Sequence, residues 1–179
     1  MRFVRLVDRL NRFAVISLSA AFAVMTLSIF LQVLVRFVFT AMDIRLSVPW
    51  TEELARYLMI WSVFIGGAVA VRTDKLIALE VLIHSLPASL GKALKTGAHL
   101  LTMVFFGYLL YLGFEFALNQ GGRQTSPVMG IPMLAVYLSM PIGALLGTLN
   151  LITLFINVFL KKGDIRFVSM EDEAYESLD

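Results

Sequence analysis

The sequence predicts an all-α integral membrane protein with four transmembrane helices, short interfacial amphipathic helices, and both termini on the inner side (N-in/C-in). Three observations predict it. First, 59% of the 179 residues are hydrophobic and only 16% are charged, with a mean hydropathy of +0.82, whereas a soluble domain carries about a quarter charged residues. Second, the charges cluster and leave four apolar stretches, near 13–35, 51–71, 96–114 and 132–160, each close to or above the ~20 residues that a helix needs to cross hydrocarbon. Third, if these spans alternate, eleven Lys and Arg fall on one side, in 2–12, 72–95 and 161–166, against Arg36, Arg45, Arg56 and Arg123 on the other. The positive-inside rule then places both ends in the cytoplasm.

Residues 2–12 carry Arg2, Arg5, Arg9 and Arg12 with one acid, Asp8, and place Phe3, Val4, Leu6, Val7 and Leu10 at helical spacing. That pattern predicts a short basic amphipathic helix at a membrane surface. The first span follows without a charge. Ala21-Phe22-Ala23 has the form of a signal-peptidase site, but the apolar run continues twelve residues past it, which favours an uncleaved anchor.

The second span is the stretch around which the chain is organised. Pro49 suits a helix start, where a missing N–H costs nothing. Glu52, Glu53 and Arg56 occupy the first two turns, and the fifteen residues before Arg72 carry no charge. A helix from Pro49 to Val71 is about 35 Å long at ~1.5 Å per residue, sufficient to cross a bilayer. After a polar turn, residues 76–86 form an apolar segment with Glu80 and His84, too short to cross and so predicted to lie in the interface, ending at Pro87.

Lys92 and Lys95 precede the third span and Glu115 closes it. A polar loop around Gly121-Gly122-Arg123 leads to 33 uncharged residues, in which Gly130-Ile131-Pro132 marks the start of a fourth helix. That helix is longer than one span requires, and Pro141 within it is expected to kink it or loosen its hydrogen bonding. Lys161-Lys162 ends it, and an acidic tail occupies 163–179. The whole chain, 1–179, reads as one membrane domain, without the internal repeat that builds many transport sites.

Cysteine is absent, which removes disulfides and thiol chemistry together. Glu52, Glu53 and Arg56 leave three readings open: an ion-pair cluster inside the chain, with Arg36 as a further partner; a contact with another protein; and a substrate or ion site. Their place at the outer edge favours the first, since the spacing permits pairing on the helix itself. His84 and His99 lack a third group at metal-ligand spacing, so no metal and no cofactor are expected. Gln32, Asn150 and Asn157 are polar groups of the kind that hydrogen-bond between helices. Ser62, Gly66 and Ala70, and likewise Ser139, Gly143 and Gly147, recur every four positions. Such stripes let backbones approach closely, so Gly66 and Gly143 are expected to be packing surfaces.

No Asp, Glu, Lys or Arg lies at the central depth of a span, where pathways for ions or charged substrates usually need one. Three functional readings follow: a non-catalytic subunit of a larger membrane complex, a small self-assembling four-helix transporter or channel, and an intramembrane enzyme. The uncharged spans and small-residue faces favour the first.

The run Pro49-Trp50-Thr51-Glu52-Glu53-Leu54-Ala55-Arg56-Tyr57-Leu58, followed by Trp61, Gly66-Gly67 and Arg72, resembles the small membrane subunit (DctQ/SiaQ type) of the tripartite ATP-independent periplasmic (TRAP) transporters. The likeness extends to Val35-Arg36-Phe37-Val38-Phe39, to Gly130-Ile131-Pro132 and to Tyr137 through Gly143, with Pro141 inside it. It implies a bacterial inner-membrane protein, not an enzyme, with structural or subunit-interface roles for Arg36, Trp50, Glu52, Glu53, Arg56, Trp61, Gly66, Gly67, Arg72, Pro141, Gly143 and Gly147. It further implies two partners: a separate large multi-span permease subunit, which holds the substrate and sodium sites, and a periplasmic substrate-binding protein. No substrate or metal site is then expected in this chain, which would brace the large subunit. The family carries dicarboxylates, sialic acid and other organic acids.

Overall fold

The computed structural model describes residues 2–39, 41, 42, 44, 46–73, 83 and 85–161. Among them the chain is helical. Helix α1 spans Arg2–Leu34 and passes into a π-helical turn, Val35–Phe39. Helix α2 spans Pro49–Thr73, α3 Ala88–Gln120, α4 Leu134–Tyr137 and α5 Ser139–Lys161. Four helical segments are long and apolar enough to cross a membrane: Phe3–Phe39, Pro49–Arg72, Ala88–Gln120 and Leu134–Val158.

The predicted division between a surface helix at 2–12 and a span at 13–35 is not observed; both belong to α1. No glycine or proline lies between Arg2 and Leu34 to break the helix, and one seam runs its whole length. Val7, Asn11 and Ala14 are buried, Leu18, Ala21 and Met25 partly so, then Ser28 is buried, Gln32 partly, and Val35 again buried. Those steps alternate four and three residues, the 3.5-residue repeat that keeps one face turned to a neighbouring helix. At ~1.5 Å per residue α1 is about 50 Å long, so its first turns project past the ~30 Å hydrocarbon layer. The predicted interfacial helix at 76–86 falls largely outside the described residues, of which Ile83, Ser85 and Leu86 are described and Ile83 is buried. The tail at 163–179 also lies outside them. Pro87 opens α3 rather than merely ending what precedes it: its carbonyl accepts the Gly91 N–H at 2.9 Å.

The main helix packings follow the order α1–α2–α5–α3, so α2 and α5 are central and α1 and α3 flank them. Helices α2 and α5 run parallel, and their contacts step down both together, from Trp61 with Ala135 through Phe64 with Gly143 to Ala68 with Asn150. The fourth span is interrupted beside Pro141, dividing at Leu138 into α4 and α5. The missing N–H of Pro141 leaves the Tyr137 carbonyl without the usual donor, and the ladder resumes at Ile142, whose N–H reaches the Leu138 carbonyl at 3.1 Å. Here α3 comes close: a Cβ on Gly113 would lie 2.9 Å from Pro141 Cδ.

One amide pair fixes the register of three helices. Asn11 Nδ2 donates to Asn150 Oδ1 at 2.6 Å, and Asn150 Nδ2 donates back to Asn11 Oδ1 at 2.9 Å. The remaining amide hydrogens go to the Val7 carbonyl within α1 and the Ala68 carbonyl of α2, both at 2.8 Å. All four side-chain N–H groups are therefore used between α1, α2 and α5. About one turn nearer the same end, the Arg72 guanidinium of α2 pairs with Asp8 of α1. His99, also buried at this end, donates from Nδ1 to the Lys95 carbonyl at 2.8 Å and meets the Phe155 ring edge-on.

The small-residue stripes behave differently from each other. A Cβ on Gly143 would lie 2.7 Å from the Phe64 carbonyl oxygen, and one on Gly147 2.6 Å from the Phe106 ring. These two glycines set the approach of α5 to α2 and to α3. Gly66 and Gly67 have open space within 4 Å, so neither makes a close helix contact within the described residues of this chain. The reason is helical phase: Ser62 and Ala68 turn inward, while Met59, Val63, Gly67 and Ala70 form the open side of α2.

Gly143→Ala therefore lowers stability by about 1–3 kcal/mol, the usual cost of overpacking. Gly67→Ala is neutral or stabilising by up to about 1 kcal/mol, the helix-propensity gain. Thermal unfolding of the purified chain in detergent measures both, and equal shifts would refute the assignment of Gly143 to the helix contact.

Candidate functional site

Adjacent positions on a helix point about 100° apart, because 3.6 residues complete a turn. The two acids at the start of α2 consequently do different things. Glu52 faces outward and pairs with Arg56 one turn on, at 2.9 Å, with both side chains 61% exposed. Glu53 faces inward and is only 8% exposed.

Both oxygens of Glu53 are engaged. Oε1 accepts the Tyr57 hydroxyl at 2.6 Å, and Oε2 accepts the backbone N–H of Met129 at 2.8 Å. Met129 belongs to the connection between α3 and α4, which is closed on itself before it meets α2. Its N–H also points at Ser126 Oγ, the Ser126 N–H donates to the Ile131 carbonyl at 2.8 Å, and an isolated bridge joins Thr125 to Pro132. Gly130 turns the chain back at φ +67°, a left-handed conformation that side-chain-bearing residues rarely adopt. At the base of the loop, the Leu134 N–H donates to the Gly121 carbonyl at 3.0 Å, and a Cβ on Gly121 would lie 2.6 Å from Leu134 Cα.

Three side chains on one face of α2, at intervals of four, hold this connection. Glu53 binds the loop, Tyr57 places its hydroxyl 3.5 Å from Met133 Sδ, and Trp61 donates from Nε1 to the Ala135 carbonyl at 3.2 Å. From the loop side, Tyr137 donates to Gln124 Oε1 at 2.8 Å and packs its ring against Phe116. A carboxylate whose two oxygens already accept hydrogen bonds from its own chain is suited to fastening. It has little left with which to ligate a cation or take a proton from a substrate.

The pairing of Arg36 with Glu52 or Glu53, expected as a further possibility from the sequence, does not occur. Arg36 is exposed on the π-helical turn with its guanidinium 5.9 Å from the Phe37 ring centroid, and among the described residues its region's ion pair is Glu52 with Arg56. The inward rotation of Glu53 toward the loop separates it from α1. Trp50 is half exposed in the first turn of α2, and Arg72 lies at the far end of α2 against Asp8. Sequence reasoning missed Asp8 and Asn11 as partners. The signal for Asp8 is its place as the lone acid in an arginine-rich stretch, and for Asn11 its position four residues after Val7 on the buried seam. The Met129 N–H, a backbone group, leaves no such signal.

Replacing Glu53 with Gln removes charge from both bonds, while Glu52→Gln removes only an exposed pair of little value. Glu53→Gln lowers Tm by about 5 °C or more, and Glu52→Gln leaves it within about 2 °C. Limited proteolysis supplies the second readout, with cleavage in the 121–133 loop accelerating only in the Glu53 variant. The reverse order of the two variants would overturn the assignment.

Residues 25–161 match the family described as tripartite ATP-independent periplasmic transporters, DctQ component. A Haemophilus influenzae protein named as a TRAP transporter small permease protein is 29% identical over 148 residues, covering 80% of this chain and 87% of the relative. The Rhodobacter capsulatus C4-dicarboxylate TRAP transporter small permease protein DctQ is 34% identical over 103 residues, 55% of this chain and 44% of the relative. The matched region contains the Glu53 cluster and Asn150 but begins after Asp8 and Asn11. The chain belongs to the DctQ family: it is a multi-pass small permease subunit of a TRAP transporter, a component of transport and not an enzyme.

Proposed function

We propose that this chain is the static member of its transporter, a brace that holds a large permease subunit in the inner membrane while that subunit moves the substrate. One observation carries the reading. The buried ionised side chains among the described residues, Glu53, Arg72 and Lys95, lie toward the two ends of the helices and are engaged there. The buried polar groups deeper in, such as Asn150 and Thr153, are neutral and hydrogen-bonded to the chain itself. A pathway for a charged solute usually keeps an ionisable group at mid-depth, facing a cavity. The proposal places the substrate and sodium sites in the large subunit, leaves this chain without cofactor or metal, and has a periplasmic binding protein deliver the solute. The solute is an organic acid. The name of the Rhodobacter capsulatus relative supports a four-carbon dicarboxylate, with sialic acid and similar carboxylates as the other members of the class.

In this arrangement both ends of the chain are cytoplasmic. Arginines and lysines are concentrated in 2–12, 72–95 and 161–166, and the contacts of Asp8 with Arg72 and of His99 with Phe155 bring the corresponding helix ends together. The 121–133 loop and the start of α2 then face the periplasm.

Proteoliposomes holding this chain alone take up no organic acid under a sodium gradient, and uptake requires the large subunit and the binding protein. Sodium-driven uptake by the chain alone would reject the brace. Because the chain has no cysteine, its orientation is read from single introduced thiols. A membrane-impermeant maleimide added to spheroplasts labels Arg123→Cys and reaches Lys92→Cys only after permeabilisation; the opposite pattern would invert the topology.

A further inference from the structure

The first three turns of α1 carry a charged face that nothing in the described structure neutralises. Arg5, Arg9 and Arg12 recur at intervals of four and three, so they form one stripe along the helix, and all three are exposed. Asp8, the lone acid of this stretch, is paired with Arg72 of α2. Among the described residues none of Arg5, Arg9 and Arg12 makes an ion pair. The stripe lies away from the buried seam of Val7, Asn11 and Ala14.

Beside it runs a second exposed stripe, of Phe3, Leu6, Leu10 and Phe13, which are 41%, 56%, 42% and 69% exposed. Because α1 is unbroken, these turns do not lie flat on the membrane but continue the axis of the span. Arg5 to Arg12 covers about 10 Å along that axis at ~1.5 Å per residue, comparable to the headgroup layer of about 5–8 Å that separates hydrocarbon from water. The helix thus presents guanidinium groups at the depth of lipid phosphates, and Leu10 and Phe13, at the inner end of the apolar stripe, at the depth where acyl chains begin.

We propose that this face of α1 is a binding site for anionic phospholipid headgroups. The guanidinium fork matches phosphate oxygens in a bidentate geometry, which distinguishes it from a diffuse positive surface. The occupant is a lipid rather than a soluble acidic protein because the apolar stripe shares the same turns and requires acyl chains to cover it. This inference is independent of which solute the transporter carries and of whether the chain acts as a brace.

Native mass spectrometry of the purified full chain, with phosphatidylglycerol or phosphatidylcholine added at equal concentration, tests it. The wild-type chain retains phosphatidylglycerol over phosphatidylcholine by about tenfold or more, given the contribution expected of each basic residue near an anionic surface. The triple variant R5Q/R9Q/R12Q binds both lipids alike, while R5K/R9K/R12K keeps a reduced preference. Should the glutamine variant fail to purify, the wild type answers the question by itself, since its preference must shrink as sodium chloride is raised. A wild type that binds both lipids equally, a preference that survives in the glutamine triple variant, or one indifferent to salt would each overturn the proposal.

Discussion

Between helices in a bilayer the side chains are no more apolar than the lipid they displace, so neighbours are selected by polar contacts and close backbone approach. Both are concentrated on α5. Its Asn150 amide engages Asn11 of α1 and the backbone of α2, while Gly143 and Gly147 bring it against Phe64 of α2 and Phe106 of α3. No other helix touches all three neighbours through such contacts. The arrangement of the remaining elements depends on this one surface: α2 is held parallel to α5, α1 is registered through Asn11, and α3 is admitted only where Gly113 and Gly147 make room.

The second fastening, at the opposite end of α2, works by a different principle. A buried carboxylate requires partners, and Glu53 finds one on its own helix and one on the loop that α3 sends toward α4. The loop presents the Met129 N–H because Gly130 and the Thr125–Pro132 bridge have already closed it. An internally organised loop thus meets an internally organised helix, and little ordering is left to be done on contact. With α2 secured at both ends, Glu53 above and Arg72 with Ala68 below, the helix is a fixed axis for the subunit.

Much of this is readable from the residues alone, and the reasons for the remainder are physical. Four spans follow from the scarcity of charge, and the interruption beside Pro141 from its missing donor. The roles of Gly143 and Asn150 follow from the rule that small or amide side chains inside a membrane helix seek another helix. What the sequence conceals is phase. Glu52 and Glu53 are the same residue type side by side, and only the rotation of α2 decides that one meets solvent and the other a loop. Gly66 and Gly143 sit in equally regular stripes, yet one faces Phe64 and the other open space. The extent of α1 was hidden for a related reason: charge at Arg9 and Arg12 suggested a break, although charge does not terminate a helix when no proline or glycine accompanies it.

The order α1–α2–α5–α3 has a mechanical consequence. Among the described residues the main packings form a row, and α1 also reaches across it to α5 through Asn11 and Asn150. A row of rods resists shear within its own plane, where each rod is pinned to the next at more than one height, and the α1–α5 link ties it across that plane. The helices are thereby tied to one another both along the row and across it.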